Sequence, residues 1–153
     1  MNDFRDLKIE KTPKSPLIEL NYASGELRLS GKSLPENAAK VYEPVLNWVN
    51  KYIQQPKPVT NLRLSLEYFN TSSSLWISKI IRALTRINNA DYQLLVHIYI
   101  PLEEYDDMKA LSDLKDAFSP FTDILQDAIP TVRLKLYATD EADQVVRDAL
   151  VLF

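Results

Sequence analysis

The run from Thr60 to Phe69 sets Leu62, Leu64, Leu66 and Tyr68 on one parity and Asn61, Arg63, Ser65, Glu67 and Phe69 on the other. A period of two over this length predicts a strand with one buried face. The chain passes without a spacer into Asn70-Thr71-Ser72-Ser73-Ser74 and then into Ile77, Ile80, Ile81 and Leu84, whose spacing of three and four predicts a helix. A strand that runs straight into a capped helix points to the α/β class.

The other segments extend that pattern. Leu7 and Ile9, then Ile18 and Leu20, alternate with charged residues on either side of Thr12-Pro13-Lys14-Ser15-Pro16, which reads as two short strands joined by a turn. Leu27 and Leu29 continue the alternation after Gly25, which is expected in the turn. In Ser33-Leu34-Pro35-Glu36 the serine is placed to cap a helix, the proline suits its first turn and the glutamate completes a capping box. Val41, Tyr42, Val45, Leu46, Val49 and Ile53 form the apolar stripe of that helix, and Pro56 and Pro58 stop it. Tyr92–Ile100 is apolar on both parities, as in a strand covered on both faces. The acidic stretch that follows reads as an irregular solvated segment, with Met108, Leu111, Leu114 and Phe118 able to dock a helix. Thr131–Tyr137 predicts a last strand and Asp140–Leu150 a terminal helix. With 153 residues and no internal repeat, the expectation is one domain, a mixed sheet flanked by helices.

Composition removes most catalytic chemistries. The absence of cysteine excludes disulfides, thiolate nucleophiles and Cys-bound metal, and His97 is the sole imidazole. Gly25 and Gly31, the only glycines, cannot build a P-loop or a dinucleotide fingerprint. A net charge of -3 gives no global field for nucleic acid or an anionic membrane. The N-terminus lacks a basic stretch leading into an apolar one, and the longest apolar run, around Leu94 to Leu102, is too short to span a bilayer. A cytoplasmic binding or regulatory protein, not an enzyme, is the resulting expectation, without cofactor, metal, nucleic acid or membrane insertion.

Among the residues able to carry chemistry, Asn70–Ser74 stands out, because unpaired N–H groups and the positive end of a helix dipole converge there. A phosphate on Thr71 or Ser72 would sit where that field favours it; a plain N-cap with solvated serines accounts for the same residues. Lys79, Arg82 and Arg86 form a basic edge on the same helix, suited to an acidic partner or simply solvated. His97 fits a structural role better than a catalytic one, and Glu103, Glu104, Asp106 and Asp107 lack the spacing of a calcium loop. Trp48 and Trp76 read equally well as core or as partner anchors.

Taken together, Gly31-Lys32-Ser33-Leu34-Pro35-Glu36-Asn37, then Tyr42-Glu43-Pro44-Val45-Leu46-Asn47-Trp48, then Glu67-Tyr68-Phe69-Asn70-Thr71-Ser72-Ser73-Ser74 resemble the SiaC family of bacterial regulatory phosphoproteins, in order and spacing. The resemblance runs from about Leu7 to Tyr99. It implies a STAS-like fold over residues 1–153, in which 138–153 form a C-terminal helical extension beyond the usual family end. It also implies Thr71 as phosphate acceptor, with Ser72 and Ser73 as alternatives, and a partner surface of Ser33, Leu34, Pro35, Glu36, Asn37, Asn70, Ser72, Ser73 and Leu75. The implied partners are a Ser/Thr kinase, a PP2C-type phosphatase and a diguanylate cyclase, which the unphosphorylated form binds and activates in cyclic-di-GMP and biofilm signalling. Leu34 and Leu75 depart from the family's usual aromatic and lysine, and no glycine follows Asp106-Asp107-Met108. A STAS-like module in another pathway, such as sigma-factor control or small-ligand binding, is the alternative.

Overall fold

The computed structural model describes residues 5–107 and 119–151. Its elements are β1 (Leu7–Ile9), β2 (Leu17–Asn21), β3 (Glu26–Ser33), α1 (Ala38–Tyr52), β4 (Val59–Phe69), α2 (Thr71–Leu84), β5 (Gln93–Pro101), α3 (Leu102–Asp107), α4 (Ser119–Leu125), β6 (Thr131–Thr139) and β7 (Val145–Val151). The strands form one mixed sheet in sequence order, β1 to β7. The first three strands run antiparallel, β3 to β6 run parallel, and β7 returns antiparallel along β6.

That order decides where the helices lie. Parallel neighbours need crossovers, crossovers are right-handed, and three in succession step the same way along the sheet, which puts their helices on one face. Burial follows: Leu27, Leu29, Leu62, Leu64, Leu94, Val96, Leu134 and Leu136 are buried against Tyr42, Val45, Val49, Ile77, Ile80, Ile81 and Leu84. Among the described residues the opposite face has no helix. The expectation that Tyr92–Ile100 is covered on both faces is therefore corrected, since Leu95 and Tyr99 are only half-buried there. His97 on that face is buried by its sheet neighbours rather than by a helix layer.

Three further expectations are corrected. Asp140–Leu150 is not a helix: Asp140 Oδ1 accepts from the Ala142 and Gln144 N–H groups at 2.9 Å, making a turn, and β7 then pairs with β6. Asp143 has φ 59, the left-handed conformation that Asp tolerates in such turns. Where a helical extension is expected over 138–153, the described residues 138–151 are thus the end of β6 followed by a strand at the edge of the sheet. Second, α1 begins at Ala38 with Asn37 as its cap, whose side chain accepts from Lys40 N. Ser33 is the buried end of β3 and Glu36 pairs with Lys14 at 3.5 Å, so no capping box forms. Third, Leu102–Asp107 is helical rather than irregular, though Glu103, Glu104 and Asp107 remain exposed. Met108, Leu111, Leu114 and Phe118 lie outside the described residues.

Both glycines sit where backbone geometry asks for them. Gly25, at φ +69 in the turn between β2 and β3, lies so close to β4 that a Cβ would meet Val59 O at 2.5 Å. Gly31, at φ +108, marks the register shift between β3 and β4.

Candidate functional site

Adjacent parallel strands β3 and β4 end together, with Ser33 opposite Phe69. The segment leaving β3 and the start of α2 are therefore neighbours at the carboxyl end of the sheet, the edge at which open α/β sheets place their sites. Residues far apart in sequence meet here because of strand pairing alone.

The join is a set of hydrogen bonds that links the end of β3 to the start of α2. Asn70 caps α2 by accepting from Ser73 N at 2.9 Å, its own N–H donates to Ser33 O at 3.0 Å, and its side-chain amide donates to Pro35 O at 3.3 Å. The Ser73 hydroxyl donates to Ser33 O at 3.1 Å and accepts from the Ser33 hydroxyl at 2.8 Å. With the Ser33 proton so used, the Tyr42 hydroxyl donates to Ser33 Oγ. Burial raises the Tyr42 phenol above its ordinary pKa, with the bonds to Ser33 and Ser73 opposing the shift, which keeps it a donor. Ser33, Ser73 and Tyr42 are all 0% exposed. This relay ties the end of β3, α1 and α2 together at one corner.

On that base the candidate residues divide. Thr71, Ser72, Leu34, Glu36, Asn37 and Leu75 are exposed, the last by 62%, and Asn70 is half-buried. Ser33, Pro35 and Ser73 are buried, which corrects their place in a contact surface: they hold it from beneath. Ser73 is also unsuited as a phosphate acceptor, being buried with its oxygen engaged twice. Thr71 and Ser72 present their hydroxyls at the first turn of α2, where the dipole favours negative charge. Tyr42 was missed as a member of the corner. Its signal was present: Ser33 shares the inward parity of Leu27 and Leu29, and Ser73 lies on the stripe of Ile77, Ile80 and Leu84, so two hydroxyls on apolar stripes required a buried partner.

Elsewhere, no group of three potential metal ligands occurs among the described residues, and none of their helices is long and apolar enough to cross a membrane. Trp48 is core, stacked on Tyr52 with centroids 5.2 Å apart, while Trp76 is half-buried beneath the Lys79 ammonium at 4.5 Å.

A mixed sheet with helices on one face, carrying two exposed hydroxyls at a helix start, defines an α/β domain with a polar corner at the carboxyl end of its sheet. The sequence pattern of the SiaC family regulatory phosphoproteins matches residues 9–126, more than half of the chain, and the protein belongs to that family. An uncharacterized protein of Pseudomonas aeruginosa (strain UCBPP-PA14) is 35% identical over 68 residues, 44% of this chain and 54% of the relative, so the alignment spans about half of that relative's length. The fold is shared with apo-SiaC from Pseudomonas aeruginosa, at a TM-score of 0.63 and 22% identity over 85% of this chain and 98% of that one. It is likewise shared with the structure described as diguanylate cyclase SiaD in complex with its activator SiaC, at a TM-score of 0.66 and 21% identity, covering 86% and 100% of the two chains.

Proposed function

We propose that this chain is a phosphorylation-controlled partner switch that acts by binding rather than by catalysis. In this reading Thr71 is the acceptor, and the unphosphorylated form binds and activates a diguanylate cyclase in the cytoplasm. A Ser/Thr kinase and a PP2C-type phosphatase set its state. The observation that carries the reading is the contrast at the corner: Thr71 is exposed at the first turn of α2, while Ser73, two residues on, is 0% exposed and locked to Ser33. Family membership and the activator role of SiaC toward SiaD support the choice of partner.

The mechanism is local. A phosphate on Thr71 brings a charge of about -1.5 to -2 and three acceptor oxygens to a helix start that tolerates them, so the chain itself need not rearrange. A partner that packs over Thr71, Leu34 and Leu75 meets the full bulk and charge. Fragment mass spectrometry of protein from its own host is expected to place one phosphate on Thr71 and to lose it in Thr71→Ala. The purified diguanylate cyclases of that host are then titrated with unphosphorylated chain, expecting one to bind and to synthesise cyclic-di-GMP faster. Thr71→Glu should bind it at least about tenfold more weakly, a loss of about 1.4 kcal/mol. Wild-type affinity of Thr71→Glu, or no cyclase bound at all, would overturn the reading.

A further inference from the structure

The corner does not end at Leu75. Thr71, Leu75, Ser78, Arg82 and Arg86 follow at spacings of four, three, four and four, which places them on one side of α2 and of the turn that continues it. The row is about 22 Å long at the helical rise. It contains no acidic residue, on a chain whose net charge is -3. Its lower half forms one wall of a groove of about 500 Å³, lined by Ser78, Arg82 and Arg86 from the α2 side and by Asp123, Asp127 and Ile129 from α4 and the segment after it. Arg82, Arg86, Asp123 and Asp127 are all exposed, and no ion pair among the described residues involves any of them. Arginines on one wall and aspartates on the other thus line the groove without forming an ion pair. Leu75, 62% exposed in the row, and Ile129, 47% exposed on the other wall of the groove, add apolar area.

We infer that this groove and the row above it receive an amphipathic helix of the protein partner, with acidic residues along its edge toward α2 and basic residues along its edge toward α4. The lining is mainly polar and charged, so a third helix laid along α2 is held by charges that fix its register and speed its arrival, while Leu75 and Ile129 meet its apolar ridge. The row is continuous with Thr71, so the same helix ends over the phosphate acceptor. A phosphate there closes a cationic row with a dianion beside the partner's acidic edge, which explains release without a conformational change. The inference rests on the partner-switch reading and adds the chemistry of the surface that is read.

The probe is the host diguanylate cyclase selected by the titration above. Arg82→Glu/Arg86→Glu should weaken its binding at least about tenfold and flatten the salt dependence of the on-rate, and Asp123→Lys/Asp127→Lys should weaken it similarly. Arg28→Glu/Arg133→Glu, on exposed residues of the helix-free sheet face, changes net charge by the same amount as the arginine pair and should leave affinity near wild type. Circular dichroism checks folding, and Arg82→Gln/Arg86→Gln, expected to weaken binding to a smaller extent, replaces a pair that fails it. If Thr71→Glu releases the cyclase while either groove pair binds as wild type, or the aspartate pair binds more tightly, the groove inference falls and the switch stands. Equal loss in the Arg28 and Arg133 control assigns the effect to net charge and also overturns it. If no cyclase binds the wild-type chain, the functional reading and this inference fall together.

Discussion

At His97 the neutral ring is favoured by what surrounds it. Nε2 donates to Asn61 Oδ1 and Nδ1 accepts from the Tyr137 hydroxyl, both at 2.8 Å, so each ring nitrogen already has the partner that an uncharged imidazole needs. Burial lowers its pKa to about 4, the Arg63 and Lys135 cations push the same way, and Glu26 opposes them. Arg63 is itself held by Glu26 at 2.8 Å and donates to the Tyr99 hydroxyl at 2.7 Å, so the cation beside the ring is fixed in place. Because the folded pKa lies below the unfolded value of about 6.5, the unfolded chain binds the proton first as pH falls. The stabilisation is complete above pH 6.5 and is lost as pH drops toward 4. Between pH 7.5 and 5, above most carboxylate titration, urea unfolding should show about 2 kcal/mol of loss that His97→Gln largely removes. An unchanged slope in His97→Gln would mean that the ring is solvated.

Among the elements, those with a clean period were legible and those with two readings were not. β2, β3 and β4 alternate and α2 carries a stripe at 3.6-residue spacing, so both their type and their place followed from residues such as Leu62, Leu64, Ile77 and Ile81. Ser33-x-x-Glu36 satisfies a capping box by spacing, but strand pairing pulls Ser33 into the sheet and passes the cap to Asn37. Val145, Val146, Ala149 and Leu150 fit helical spacing, yet the β-branched pair and the Asp140 turn favour a strand once β6 offers an open edge. The exposed part of the site was legible, since Asn70–Ser72 announce a helix start. Its buried support was legible only as two hydroxyls on apolar stripes, because the Ser33–Tyr42–Ser73 relay that joins them exists only after β3 and β4 pair. The same pairing makes Gly25 costly to change. A methyl group there meets Val59 O and forces φ +69 on an L residue, so Gly25→Ala should lower the unfolding free energy by about 2 kcal/mol or more. Gly31→Ala is also strained, by φ +108, but its Cβ would find its nearest atom at 3.8 Å, so without the backbone clash it should cost less; equal or greater loss in urea melts would mean that backbone strain, not the Val59 contact, dominates.

For the molecule as a whole, a switch that acts through a partner must separate the energetics of the surface from those of the fold. Two hydroxyls two residues apart test that separation. Thr71 is exposed on a helix start and Ser73 is sealed beneath it with every bond made. A negative charge at Thr71 meets the favourable end of the α2 dipole, so Thr71→Glu should leave stability within about 1 kcal/mol of wild type, with any change toward greater stability. The same charge at Ser73 would be buried beside the Ser33 carbonyl and the Tyr42 hydroxyl. Ser73→Glu should therefore cost about 3 kcal/mol or more, or prevent folding. Urea denaturation of both variants, with amide chemical shifts mapped on Thr71→Glu, measures this directly. Shifts confined to the corner would mean that regulation is written on a surface the core does not feel. Shifts spreading through α1 and β3 would mean that the relay itself moves, and the partner would then be reading a rearranged protein rather than an added charge.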